Sequence, residues 1–134
     1  MIRFLDTNVL IRYFTGDHPD KAARVLALLE RVEAGEEKLL TSPLVVFETV
    51  FTLQKFYDVP RDQIRDILVP ILLLAGLKLE GKSDFLRAFD LYVATSISFA
   101  DAYNAAYLQA RGLSEIYTWD RDFDQIDGVT RLEP

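Results

Sequence analysis

Four acidic positions stand where a carboxylate could do chemistry. Asp6 follows directly on the strand-like run Ile2-Arg3-Phe4-Leu5. Glu48 lies within Val45-Val46-Phe47-Glu48-Thr49-Val50-Phe51, and its helical neighbours three and four residues away are Leu44, Val45, Phe51 and Thr52. That spacing puts its carboxylate on or beside a buried stripe, where an unpaired charge is costly. Asp101, in Ser98-Phe99-Ala100-Asp101-Ala102, shares a helix face with Asn104 and Ala105, small or polar neighbours that leave room for an ion. Asp120 opens the run Asp120-Arg121-Asp122-Phe123-Asp124, just past the strand-like Ile116-Tyr117-Thr118-Trp119. Carboxylate oxygens with water are the ligands hard divalent ions prefer. If such acids converge, their repulsion calls for metal. Two ions about 3.5–4 Å apart can activate a water and stabilise the leaving oxygen of a phosphodiester.

Each acid also has a plainer reading. Asp6 can cap the helix that follows, as can Thr7 or Asn8. Glu48 can pair with a distant Arg or Lys, and Ser98-x-x-Asp101 resembles a capping box. The cluster from Asp120 to Asp124 can be a solvated acidic turn. It is not a calcium loop, because Gln125 replaces the required glycine and Arg131 stands where a bidentate glutamate belongs. The one histidine, His18, reads as a surface residue at a helix start, and there is no cysteine. Histidine-rich zinc sites, disulfides and cysteine nucleophiles are thereby excluded.

The elements that must position these acids alternate between short apolar runs and helical periods. Strands are expected at 2–5, 38–41, 77–80, 115–119 and 129–132. A helix opens at Pro19, carries Ala22, Val25, Leu26, Leu29 and Val32, and stops at Gly35. Ser42-Pro43 caps another, running through about Tyr57. Pro60 opens a third, with Pro70 inside it as a kink, and Ser83 and Ser98 cap two more. Strands alternating with helices predict parallel βα units, and so a three-layer α/β/α sandwich with a short parallel-stranded sheet. In such sheets the ligand site lies at the carboxyl ends of the strands. No repeat or linker-like tract interrupts the 134 residues, so a single domain over 1–134 is expected.

Composition narrows the class. The chain is 50% hydrophobic and 27% charged, with 15 Lys+Arg against 21 Asp+Glu and a net charge of −6. It is not a generic basic nucleic-acid binder; a nucleic-acid partner would need local cations, or metal ions that reverse the sign of an acidic pocket. The longest uncharged stretch, Ile67 to Leu77, contains Pro70 and Gly76 and is far short of a membrane span. No signal-peptide pattern is visible at the start, and the lack of cysteine suits a reducing cytoplasm, so no membrane association and a cytoplasmic location are expected.

Asp6-Thr7-Asn8-Val9-Leu10, the isolated helical Glu48, Ser98-Phe99-Ala100-Asp101-Ala102 and Tyr117-Thr118-Trp119-Asp120-Arg121-Asp122-Phe123 together resemble the PIN-domain nucleases. The small size and wording are most similar to the VapC toxin branch of toxin–antitoxin systems. Each motif alone is weak; all four in order, from residue 2 to residue 124, are specific. The resemblance implies a PIN-like fold with its acids at one end of the sheet. It implies a ribonuclease dependent on Mg²⁺ or Mn²⁺, with Asp6, Glu48, Asp101 and Asp120 as metal-site acids and Asp122 as a substitute or supporting acid. Asn8 and Thr118 match polar positions that hold the site, Asn8 by hydrogen bonds that orient Asp6. The resemblance also implies an RNA substrate, a cognate antitoxin and a homodimer.

With the four acids set aside, 15 cations face 17 acids. RNA-guiding cations are then sought among Arg12, Lys21, Arg24, Lys55, Arg87 and Arg121, first Arg12 and Arg121, which lie close in sequence to site acids. Phe123 is expected in the core, and Trp119 is expected to pack rather than to stack on a base. The aromatic residues Phe47, Phe51, Phe56 and Tyr57, with the apolar 64–74 segment, exceed the needs of one helical face and offer a partner groove beside ordinary packing. A haloacid-dehalogenase-type phosphatase also begins with an aspartate after a strand, but needs an acid where Asn8 stands. A non-catalytic metal- or partner-binding PIN-like module is the remaining alternative.

Overall fold

A computed structural model describes all 134 residues, which divide into two compact units, Met1–Lys82 and Ser83–Pro134. The first unit holds β1 (Ile2–Phe4), α1 (Thr7–Thr15), α2 (Pro19–Glu33), β2 (Lys38–Thr41), α3 (Pro43–Tyr57), α4 (Arg61–Leu72) and β3 (Leu77–Leu79). Its sheet is parallel, in the order β1-β2-β3, with Phe4 opposite Leu40 and Leu40 opposite Lys78. Two helices separate each pair of strands, because parallel neighbours need a crossover.

Local chemistry sets the boundaries. Gly16 ends α1 at φ 65°, a left-handed conformation that glycine adopts without strain. Pro19 sits in the first turn of α2, and the exposed His18 occupies its N-cap position, at a surface helix start as expected. Ser42 caps α3 by accepting from the Val45 amide at 3.3 Å, with Pro43 behind it. The core of this unit is built from Val25, Leu29, Val32, Leu39, Val46, Val50, Leu53, Ile64 and Leu68.

The second unit contains α5 (Lys82–Ala94, from its second residue on), α6 (Phe99–Ala110), β4 (Glu115–Tyr117), a 3₁₀ turn over Arg121–Gln125 and β5 (Thr130–Leu132). β4 and β5 pair in parallel, Ile116 opposite Arg131. Aromatic packing holds α5 to α6: Phe99 meets Phe89 with ring centroids 4.6 Å apart and Tyr92 at 5.5 Å, while Ala102 and Ala105 are fully buried. Phe123 is 3% exposed, in the core as expected.

The α/β class with short parallel strands is thus the one read from the sequence. Several boundaries differ; β3 and β5, expected over 77–80 and 129–132, are each one residue shorter. Ser83 lies inside the first turn of α5 instead of capping it, because the chain turns two residues earlier, at Gly81 with φ 70°. The strand expected to run to Trp119 ends at Tyr117, because the Asp120 amide turns back to Thr118 Oγ1. Strand 2–5 closes at Phe4 for lack of a further bridge, although the Leu5 amide still reaches Leu40 O at 2.8 Å.

Candidate metal centre

The second unit brings three of the sequence-selected acids together. Asp101, Asp120 and Asp122 each present a carboxylate oxygen, all within 4.8 Å of one another. Asp101 enters from the first turn of α6, where Ser98 Oγ accepts its amide at 3.1 Å. Asp120 follows β4. Its amide donates to Thr118 Oγ1 at 3.0 Å, and its own Oδ1 accepts the Asp122 amide at 2.9 Å. Thr118 therefore holds the backbone of the acid rather than touching its carboxylate. The turn is an Asx type, in which a side chain replaces a backbone acceptor.

The electrostatics of this cluster are those of an unneutralised acid site. Asp101 is held above its ordinary value of 3.8, first because burial penalises its charge and then because Asp120 and Asp122 crowd it with negative charge. Asp120 and Asp122 are exposed and Asp101 is half-buried. Three hard oxygen donors at this spacing, with no cation bound to any of them in the protein, fit a divalent ion. Two arginines of this unit are engaged with other acids: Arg111 bonds the buried Asp84 at 3.3 Å and stacks on Tyr107, and Arg131 bonds Asp124 and Glu133. Arg121, between the two turn acids, makes no ion pair.

The other two acids lie in the first unit. Asp6 occupies the N-cap position of α1, directly after the first strand, yet its side chain accepts no capping bond and is exposed. The plain capping reading therefore does not account for it. Asn8 is exposed in the first turn of α1, and no hydrogen bond joins it to Asp6. Glu48 also needs a correction. It is exposed on α3, not on or beside the buried stripe, which runs through Val45, Val46, Thr49, Val50 and Leu53. The reason is that two neighbours counted as core, Leu44 and Phe51, are themselves 71% and 59% exposed.

The first unit also contains an open cleft of about 610 Å³ between α1 and α2, lined by Arg12, Lys21, Arg24 and Arg31 with Asn8 at one end. Arg12 pairs with Asp17 and Arg31 with Glu37, while Lys21 and Arg24 have no carboxylate partner. Of the residues considered for a partner groove, Ile64, Leu68, Ile71 and Leu72 are buried. Phe51, Phe56, Tyr57 and Leu73 face outward. Trp119, expected to pack, is 69% exposed. The strand that would have buried it ends two residues earlier. Sequence periodicity carries no signal for that exposure. No helix is long and apolar enough to cross a membrane.

Comparison with known proteins bears on this arrangement. The family model for the PIN domain matches residues 3–129. The chain is similar to a VapC ribonuclease of Aquifex aeolicus, with 25% identity over 133 residues, covering 99% of this chain and 97% of that one. It also aligns with the crystal structure of VapC20 of Mycobacterium tuberculosis, a sarcin–ricin loop cleaving toxin, at 22% identity over 100% of both chains. The TM-score of that alignment is 0.37, too low to carry an argument.

Proposed function

This chain belongs to the PIN-domain family, and from that premise we propose that it is a divalent-metal-dependent endoribonuclease, the toxin of a VapBC-type toxin–antitoxin pair. We read residues 1–134 as one PIN-like domain, since the family match runs through both compact units. The observation that carries the activity is the Asp101–Asp120–Asp122 cluster, whose mutual repulsion has no internal cation to relieve it. The Aquifex aeolicus relative named as a ribonuclease supports RNA as the substrate.

Mg²⁺ or Mn²⁺ bound by these acids would supply an activated water and neutralise charge on a phosphodiester. Asp101, the half-buried member, would hold the ion from α6, with its backbone fixed by Ser98. Asp120 offers the oxygen left free by the Asp122 amide, and Asp122 supports it. Asp6 and Glu48, in the first unit, are metal-site acids on the family pattern alone, their exposed carboxylates lacking any protein partner. Lys21 and Arg24 are cations available to RNA phosphates. The outward-facing Phe51 and Phe56 support a homodimer or antitoxin contact, as expected of an apolar surface strip. A cytoplasmic location agrees with this reading.

The test is cleavage of an end-labelled single-stranded RNA pool in Mg²⁺, Mn²⁺ or EDTA, with Asp101→Asn alongside. Metal-dependent products that vanish in the variant support the enzyme. Neither cleavage nor calorimetric metal binding would leave a non-catalytic PIN-like module as the better reading.

A further inference from the structure

Trp119 is the only tryptophan in the chain and sits one residue before Asp120, yet its ring is 69% exposed. Tryptophan is seldom left so open, because burying its ring is strongly favourable. The value also sets a floor: within its own compact unit the ring is at least that accessible. The chain around it is held on both sides. The Thr118 amide donates to Leu132 O at 3.0 Å, and the Asp120 amide donates to Thr118 Oγ1 at 3.0 Å. An exposed ring on a tied backbone can stack on a partner with little further loss of freedom. Tyr117, 72% exposed, closes the strand two positions earlier. Arg121, two residues beyond, makes no ion pair, although Arg111 and Arg131 of the same unit are both engaged with acids.

We propose that Trp119 is a stacking platform for one unpaired nucleobase beside the scissile phosphate, so that the substrate must present an unstacked nucleotide at the cut. This rests on the ribonuclease reading and deepens it, assigning to Trp119 the contact with the base of the nucleotide at the cut. Aromatic rings recognise splayed bases in single strands, whereas a paired base offers them no free face. An acid cluster that takes phosphate through metal, a cation one residue further and a ring one residue before make the three contacts that one nucleotide needs. Trp119 is therefore a positioning residue; it touches the base and not the reacting atoms.

As the only tryptophan, the ring also reports on itself. In the cleavage-deficient Asp101→Asn protein, its fluorescence is expected to be quenched saturably by single-stranded RNA and not by the same sequence annealed to its complement. In the active protein, Trp119→Ala should raise KM about tenfold to a hundredfold, the loss expected for one base–aromatic stack. kcat should change little, and Trp119→Phe should recover most of the affinity. Placing an abasic site at the nucleotide beside the cut should weaken wild type and leave Trp119→Ala unaffected. An unchanged KM in Trp119→Ala, or equal quenching by duplex, overturns the proposal. So does a ring shielded from acrylamide in the free protein, which would mean that a second copy covers it. Absence of cleavage by wild type, or full activity in Asp101→Asn, would instead defeat the ribonuclease reading, and the quenching result would still decide the stacking.

Discussion

The backbone amide of Asp122 donates to Oδ1 of Asp120 at 2.9 Å, so Asp120, which the sequence favours, and Asp122, its substitute, are not equivalent. Asp120 has its amide bound to Thr118 and one carboxylate oxygen bound to the next turn. Its remaining oxygen is thereby aimed, with little rotational freedom left to lose on binding an ion. Asp122 contributes its amide to this arrangement and has a carboxylate with no comparable restraint.

Asp120→Asn should therefore be the more damaging change. Its amide oxygen can still accept the Asp122 amide, so the turn survives while the anionic ligand is lost. RNA cleavage is expected to fall by more than the tenfold to about a hundredfold typical of losing a supporting partner of a metal site. Asp122→Asn should stay within that smaller range. Cleavage rates and metal titrations of both variants check the order, and a reversed order would make Asp122 the principal ligand.

Asp101 predicts a trade between stability and metal binding. Its carboxyl is held above the ordinary 3.8, chiefly by burial and then by Asp120 and Asp122. The folded protein therefore binds that proton more tightly than the unfolded chain does. The resulting stabilisation is present below 3.8 and is lost as pH rises through the raised folded value. At neutral pH the carboxylate is a net cost. Asp101→Asn should melt higher than wild type at neutral pH in EDTA, and the gap should close as pH falls toward 3.8. Thermal melts across that range decide it, and a variant less stable at neutral pH would contradict the assignment.

These acids show what a sequence can and cannot display. The helices over 19–33 and 43–57 were legible because proline, serine and glycine mark their ends by backbone chemistry. Asp120 was legible as an acid after a strand, since the order of elements survives in the order of residues. The exposure of Glu48 was not. The helix α3 is apolar on more than one face, with Leu44 and Phe51 outside and Val45, Val46 and Val50 inside, so periodicity could not say which stripe is buried. Trp119 escaped for a related reason: β-propensity extended the strand by two residues, whereas one Thr118 hydroxyl ends it.

Ser98 should matter to both stability and the site. Its Oγ accepts the Asp101 amide at 3.1 Å, an N-cap whose removal costs about 1 kcal/mol. Ser98→Ala is expected to lower the melting temperature by about 2–8 °C. Ser98→Asp keeps an acceptor and should hold the stability, but adds a negative charge beside the acid cluster. The two variants separate capping from electrostatics: metal affinity lost in Ser98→Ala but kept in Ser98→Asp would mean that the cap alone sets the position of Asp101.

Glu37 provides the clearest acid-sensitive contact of the first unit. It accepts from Arg3 at 2.9 Å and from Arg31 at 3.1 Å, tying the first strand to the end of α2 through one carboxylate. Those two bonds hold its carboxyl below the ordinary 4.5. A lowered folded value means that the contribution is complete above 4.5 and is lost as pH falls through the depressed value. Both arginines are largely exposed, so salt should weaken the effect. Glu37→Gln keeps the shape but loses the charge. It should melt below wild type at neutral pH and low salt, lose less stability than wild type on acidification below 4.5, and converge with it in high salt. A neutral-pH difference that survives molar salt would mean that Glu37 acts by packing and not by its ion pairs.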